Sequence, residues 1–317
     1  MTNAINVKGL KKYYIINQHS NSFLSRLFSK KVKLSALNGI DLVIARGESV
    51  ALLGPNGAGK STLIKILTGI LTPNQGEVSC LGLIPTVSRM QYTKKIGVVM
   101  GQKSLLHFDL PVIDSFILFS KIYGLTKSEE ENRIEMLSTF FDIKNILFTP
   151  VRQLSLGQRM RCEIVASLLH NPEIIFLDEP TIGLDLPSKL QLLLFLKNLR
   201  KEFGVTILLA THSLQEVEYL NERVLIINKG NIVFDDSIIN LKKNLKFRRV
   251  DFVVTDFDHE ITNLSEIYNV KVNKGSNSLQ IAEEKYRNFT ASLMTTKNVE
   301  DIYVTAPSIE ECIKDFL

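Results

Sequence analysis

Residues 1–8 alternate loosely between apolar and polar positions and predict a first strand. Residues 15–35 break that rhythm. A polar stretch leads to Phe23-Leu24 and Leu27-Phe28, then to the basic run Lys30-Lys-Val-Lys33, which reads as an inserted excursion containing a short helix with one apolar face. Alternation returns over 37–44 as a second strand. Residues 49–53 form an unbroken apolar run ending in glycines, the pattern of a parallel strand buried on both faces. Helical spacing follows over 62–71 and dominates 112–147, where Phe116, Leu118, Phe119, Ile122 and Tyr123 are read as one broad face. Residues 173–177 make a second buried strand. A helix (189–203), a strand (206–210) and a helix (214–220) follow, then a hairpin of 224–228 and 232–235 turning on Lys229-Gly230.

Strands alternating with helices predict an α/β chain built on a parallel sheet. The composition shifts near 238–247, where the basic stretch 242–249 reads as a solvated connector. Beyond it come predicted strands at 250–254, 270–272, 278–281 and 301–305 and helices at 259–268, 284–296 and 309–316. These predict a small α+β domain over 241–317 after a large domain over 1–240. Among 317 residues, 45% are hydrophobic and 22% charged, which excludes a disordered or fibrous chain. The net charge of +5 is too weak to imply nucleic acid without a clustered patch. Cys80, Cys162 and Cys312 lie far apart, so neither a disulfide framework nor a zinc site is expected. No stretch approaches the ~18 uncharged apolar residues of a membrane span. Met1-Thr-Asn-Ala-Ile5 lacks the basic start and apolar centre of a signal peptide. The expected location is the cytoplasm, with any membrane spans supplied by another chain.

The chemistry concentrates after the 49–53 strand. Gly54, Pro55, Asn56, Gly57, Ala58, Gly59, Lys60 and Ser61 fit GxxxxGK[ST] between a predicted strand and helix. Such a loop turns successive N–H groups inward as an anion nest, and the following helix adds its positive dipole end. Lys60 is placed for β- and γ-phosphates and the Ser61 hydroxyl for Mg2+. The 173–177 strand ends in Asp178-Glu179-Pro180. There Asp178 is placed to hold Mg2+ and Glu179 to orient and deprotonate a water.

Between these two motifs lies Leu154-Ser155-Leu156-Gly157-Gln158, which resembles the signature of the ATP-binding cassette (ABC) ATPases. Asp178 to Asp185 resembles that family's Walker B motif and D-loop, Thr211-His212 its switch histidine, and Gln102 its glutamine lid. Tyr14, with Tyr13 adjacent, resembles the aromatic that stacks on adenine. The resemblance spans roughly residues 3–235. It implies the P-loop ATPase fold of that family, a mixed sheet core with a helical subdomain at about 100–170. ATP and Mg2+ are the implied cofactors, with Thr62 completing the nucleotide loop and Gln102 joining Ser61 and Asp178 around the metal. It also implies a homodimer, in which Ser155, Leu156, Gly157 and Gln158 of one protomer act on nucleotide held by the other. Separate permease chains would hold the protein peripherally on the inner face of the cell membrane, and no nucleic acid is expected. Leu156 stands where the signature has a glycine and Ile182 where the D-loop often has serine. The first departure implies a backbone restricted by a β-carbon. Gly101-Gln-Lys-Ser-Leu-Leu106 and Pro150 to Arg161 resemble an exporter-type bacterial branch. An importer subunit and a soluble, non-transport ATPase are the alternatives.

Overall fold

The computed structural model describes residues 3–18, 30–101, 103–220, 223–244, 247–255, 263, 266–268, 275–282, 284–296 and 299–305. The chain divides into two compact units, Met1–Asp236 and Ser237–Leu317.

In the first unit the elements run Asn3–Gln18 (β1), Lys30–Ala45 (β2), Ser49–Leu53 (β3), Lys60–Leu67 (α1), Gln75–Cys80 (β4), Arg89–Thr93 (α2), Ile96–Met100 (β5) and Val112–Tyr123 (α3). They continue through Lys127–Phe140 (α4), Leu156–Leu168 (α5), Ile174–Asp178 (β6), Leu186–Phe203 (α6), Thr206–Thr211 (β7), Leu214–Leu220 (α7), Arg223–Asn228 (β8) and Asn231–Ser237 (β9). The main sheet has the order β5-β6-β7-β3-β8-β9, parallel from β5 to β8. A hairpin adds β9 through Lys229 and Gly230, whose φ values of 46° and 80° match the left-handed pair such a turn needs. A second, antiparallel sheet has the order β2-β1-β4.

Two hydrophobic cores flank the main sheet. Along β6, Ile175 and Leu177 enter one core and Ile174 and Phe176 the other; along β7, Ile207 and Leu209 oppose Leu208 and Ala210 in the same way. Burial on both faces is why these strands read as unbroken apolar runs. The first core is completed by side chains of α3 to α6, and the second by α1, β1 and β2. Cys80 and Cys162 are buried and unpaired, and burial pushes both thiols up to about 12.

Several elements differ from the sequence expectation. Residues 15–18 and 30–35 are not an excursion but the far end of the β1–β2 ladder, with Ile15 opposite Lys33 and Gln18 opposite Lys30. The β-branched residues and the Lys-Val-Lys-Leu alternation favour a pleated pair there. Phe23, Leu24, Leu27 and Phe28 lie outside the described residues. On α3 the buried positions are Val112, Ser115, Phe116 and Ser120, while Leu118 and Ile122 are 41% and 63% exposed. Two of the buried positions are serines and apolar side chains lie on both faces, so the period could not select the buried stripe. The first helix stops at Leu67 instead of 71. In this unit β4, α2 and β5 match no element predicted from the sequence pattern.

The second unit contains Ile238–Asn244 (α8), Phe247–Val254 (β10), Gly275–Ala282 (β11), Tyr286–Thr295 (α9) and Val299–Thr305 (β12). Its antiparallel sheet has the order β11-β10-β12. Val250, Phe252, Val254 and Ile281 pack with Phe289 and Leu293 of α9. Arg248 and Arg249, expected in a connector, are paired residues of β10. The expected elements at 270–272 and 309–316 lie outside the described residues. Of the helix at 259–268, Asn263, Glu266 and Ile267 are helical and most of the remainder is outside them.

His170, just past α5, stacks on Tyr123 with ring centroids 3.7 Å apart and bonds the Ile96 carbonyl through Nε2 at 2.9 Å. A carbonyl only accepts, so Nε2 carries the proton, and Nδ1 is buried with no partner. A second proton would be buried unpaired; burial holds the imidazole down at about 4. The unfolded chain binds that proton below about pH 6.5 and the folded chain does not, so this stabilisation is full above pH 6.5 and lost towards pH 4. We expect wild type to lose about 3 kcal/mol more than His170→Phe between pH 7 and 4 in urea unfolding. Parallel losses in the two proteins would disprove the assignment.

Candidate active site

The parallel strands end at one level: Met100 lies opposite Asp178, Asp178 opposite Ala210, and Leu53 opposite Thr211. The loops beyond them therefore converge at the carboxyl edge of the sheet, where open α/β sheets bind ligands. From β3, residues 54–59 curl into α1. Gly59 caps that helix at φ 116°, and a Cβ there would lie 2.7 Å from the Ala36 carbonyl, so only glycine fits. Lys60 is 4% exposed. Its ammonium donates to the carbonyls of Gly54 (2.6 Å) and Pro55 (3.2 Å) and lies 3.5 Å from Glu179 Oε1.

Glu179 holds a left-handed backbone at φ 53°, fixed by its N–H bond to the Ala210 carbonyl at 2.9 Å. For a non-glycine residue this conformation costs roughly 1–3 kcal/mol, a strain that tends to mark functional turns. Its carboxylate lies between Lys60 and His212, whose Nδ1 stands 3.6 Å from Oε2. Asp178, one residue earlier, is partly buried. Burial raises its pKa, and a hydrogen bond from Ser61 opposes that rise. Asp178 Oδ1 is buried without a partner. An acceptor pair of this kind, one carboxylate oxygen free beside a hydroxyl, fits a hard cation such as Mg2+.

Gln102 lies outside the described residues. The adjacent Gly101 N–H donates to the Asp178 carbonyl at 2.9 Å. Tyr14 Oη is 3.5 Å from Thr62 Oγ1 beside α1, whereas Tyr13 sits under Lys33, with the ammonium 3.7 Å from the ring centroid. Of the two tyrosines, Tyr14 is therefore the neighbour of the glycine-rich loop.

The signature residues form the cap of α5. Ser155 Oγ accepts from Gln158 N at 3.2 Å, and Ser155 N donates to Gln158 Oε1 at 2.9 Å, a complete capping box. Leu156 is the first residue of α5 in ordinary helical conformation. A helical position of this kind accommodates a β-carbon without strain. Gly157 packs against Ser188 at the start of α6, where Asp185 is the N-cap and accepts from Ser188 N at 2.8 Å. No hydrogen bond or ion pair joins the signature cap to the glycine-rich loop among the described residues.

Two of the buried glutamates, Glu163 and Glu216, lie beside the site without belonging to any of its motifs. Glu163 of α5 binds Ser104 Oγ and Leu105 N (2.7 Å), just after Gln102, and burial raises its pKa. Glu216 of α7 binds Thr181, Thr211 and Lys189. The only signal for either was an acidic residue inside an apolar helical stretch.

A glycine-rich loop between a buried parallel strand and a helix, with carboxylates at the end of a nearby strand, defines a P-loop nucleotide-hydrolysing protein. The ABC transporter family matches residues 37–182. The ABC transporter ATP-binding protein NatA of Bacillus subtilis (strain 168) is 31% identical over 230 residues, 72% of this chain and 93% of that protein. The chain belongs to this family and is an ATP-hydrolysing ABC transporter subunit. The linearmycin resistance ATP-binding protein LnrL of the same strain is 28% identical over 284 residues, 88% of this chain and 91% of that protein. The methionine import ATP-binding protein MetN 2 of Enterococcus faecalis is 33% identical over 221 residues, 68% of this chain and 64% of that protein. Among solved structures, the ATP-binding cassette MJ0796, a dimeric post-hydrolysis state bound to ADP and Pi, superposes with a TM-score of 0.61. It is 25% identical and covers 74% of this chain and 98% of its own. Among the described residues no helix is long and apolar enough to cross a membrane.

A Cβ on Gly101 would lie 2.5 Å from the Glu179 carbonyl. Gly101→Ala should therefore push the Asp178–Glu179 turn away, costing about 1–3 kcal/mol of stability and most of the ATPase activity. A thermal melt and turnover assay would check this; unchanged values in both would show that the turn is not held there.

Proposed function

We propose that this chain is the ATPase of an exporter, working as a homodimer on separate permease chains, with hydrolysis centred on Glu179. The observation that carries the catalytic part is the placement of the Glu179 carboxylate between Lys60 and His212. In this reading Tyr14 stacks on adenine, and the backbone N–H groups from Gly54 to Thr62 cradle the phosphates. Lys60 exchanges its two carbonyl acceptors for β- and γ-phosphate oxygens. Glu179 takes the proton of the attacking water, and His212 holds both the water and Glu179 in line. Ser61, Asp178 and Gln102 would hold Mg2+, which when bound neutralises phosphate charge. Ser155, Leu156, Gly157 and Gln158 act in trans. Ser155 Oγ accepts within its own capping box and so keeps its proton free for a phosphate oxygen of the partner's nucleotide. Asp185 and the D-loop face the second protomer.

Export is favoured because the likeness to the resistance protein LnrL runs through 88% of this chain, into the region beyond the cassette, whereas that to the import protein MetN 2 covers 68%. Residues 241–317 act as an accessory domain in this reading. The exposed Leu118 and Ile122 on α3 offer apolar surface for another chain to cover.

Lys60→Ala should abolish tight ATP binding. Glu179→Gln should bind ATP, accumulate dimers and turn over ~10²–10⁴-fold more slowly. Wild-type turnover would refute the base assignment. Purified from native membranes with ATP, tagged Glu179→Gln should bring down a polytopic permease in stoichiometric amount. A soluble dimer alone, or one with ribosomes, would overturn the transporter-partner reading.

A further inference from the structure

The carboxylate of Glu216 is 2% exposed, four residues after His212 on α7. Among the described residues it makes no hydrogen bond or ion pair to Glu179, Lys60 or His212, yet it has three donors from three different segments. Oε1 accepts from Thr181 Oγ1 at 2.7 Å and pairs with Lys189 Nζ at 2.7 Å. Oε2 accepts from Thr211 Oγ1 at 2.7 Å. Thr211 Oγ1 in turn accepts from Ser213 N at 3.0 Å, and Lys189 Nζ donates to Ser213 Oγ at 3.4 Å.

The placement of those donors is informative. Thr181 follows Glu179 by two residues and opens the D-loop. Lys189 lies on α6 one turn beyond Asp185, which closes the D-loop and caps that helix. One carboxylate oxygen therefore grips both ends of the D-loop. The other grips Thr211, and the Thr211–Ser213 bond spans His212 from one side to the other. The backbone carrying His212 is thus fastened to the D-loop and, through Thr181, to the turn that carries Glu179. A buried carboxylate with three donors is well satisfied, but an apolar residue of similar size is commonly as stable at such a site. Its geometric effect is specific: it fixes the spacing between the His212 and Glu179 loops.

We propose that Glu216 is a positioning residue for ATP hydrolysis, coupling the D-loop to His212 so that a displacement of the D-loop on dimer closure sets the histidine against Glu179. This deepens the proposed function and rests on its assignment of Glu179 and His212.

The test compares steady-state ATPase kinetics, ATP binding and ATP-dependent dimerisation of the full chain carrying Glu216→Gln, Thr211→Val or Thr211→Ser. Glu216→Gln should keep KM and nucleotide affinity within about threefold and still dimerise, while kcat falls about 10–100-fold, the scale of a small misplacement of reacting groups. Thr211→Val, which keeps the side-chain shape and loses only the hydroxyl, should fall similarly, and Thr211→Ser should recover most of the rate. On a His212→Ala background, Glu216→Gln should add no further loss in kcat, because its effect passes through the histidine. Wild-type kcat in both Glu216→Gln and Thr211→Val, an additive loss on the His212→Ala background, or failure of Thr211→Ser to recover the rate would each overturn the proposal. If Glu216→Gln does not fold, the Thr211 pair decides. Glu179→Gln, run in parallel, separates the two levels. A Glu179→Gln protein active at the wild-type rate removes the underlying assignment. An inactive one beside a fully active Glu216→Gln removes only the coupling.

Discussion

The register of β6 against β7, and of β7 against β3, fixes where the candidate chemistry lies. Along β6 and β7 the apolar residues alternate between the two cores, Ile174 to Leu177 and Ile207 to Ala210. A one-residue slip of β6 would exchange Ile175 and Leu177 with Ile174 and Phe176, and would turn Asp178 to the opposite face. The two cores therefore hold the register, and the register sets Asp178 beside Ser61. Polar groups of the site appear only where the strands end, because mid-strand positions have no water and no unpaired backbone to meet them.

The turn after β6 shows how local strain is tolerated at that edge. Glu179 takes a left-handed backbone, its N–H is captured by Ala210, and Gly101 leaves space for its carbonyl. The neighbouring strands thus impose a conformation that the residue itself disfavours. The result directs the Glu179 side chain back across the sheet edge towards Lys60 and His212 instead of onward into solvent.

How much of this was legible depended on how local the physics is. The 54–61 loop could be read because an anion nest needs glycines, a lysine and a hydroxyl at fixed short spacing, and each requirement leaves its own letter in the sequence. Buried strands were legible as unbroken apolar runs. Glu163 and Glu216 were not, because the segments they join are remote in sequence: Ser104 lies 59 residues from Glu163 and Thr181 35 residues from Glu216. A glutamate on a helix reads as solvated unless its stripe is known, and α3, with serines buried and Leu118 and Ile122 exposed, conceals its stripe as well. The far end of the β1–β2 ladder failed differently. Its lysines drew attention as charge, while the alternating Val32 and Leu34 between them held the strand signal.

Glu163 and Glu216 also share a logic. Charged groups taken out of water rarely add net stability over apolar packing, even when well paired. What a carboxylate offers that a leucine cannot is two directional acceptors able to fasten segments that share no continuous core. Glu163 fastens the stretch following Gln102 to α5, whose cap carries Ser155 and Gln158. Glu216 fastens the D-loop to the segment around His212. In a site assembled from loops on separate strands, directional clamps of this kind let each loop keep its place relative to another without the loops themselves packing into a core. The main sheet provides the common level, and the buried acids provide the spacing between groups raised above it.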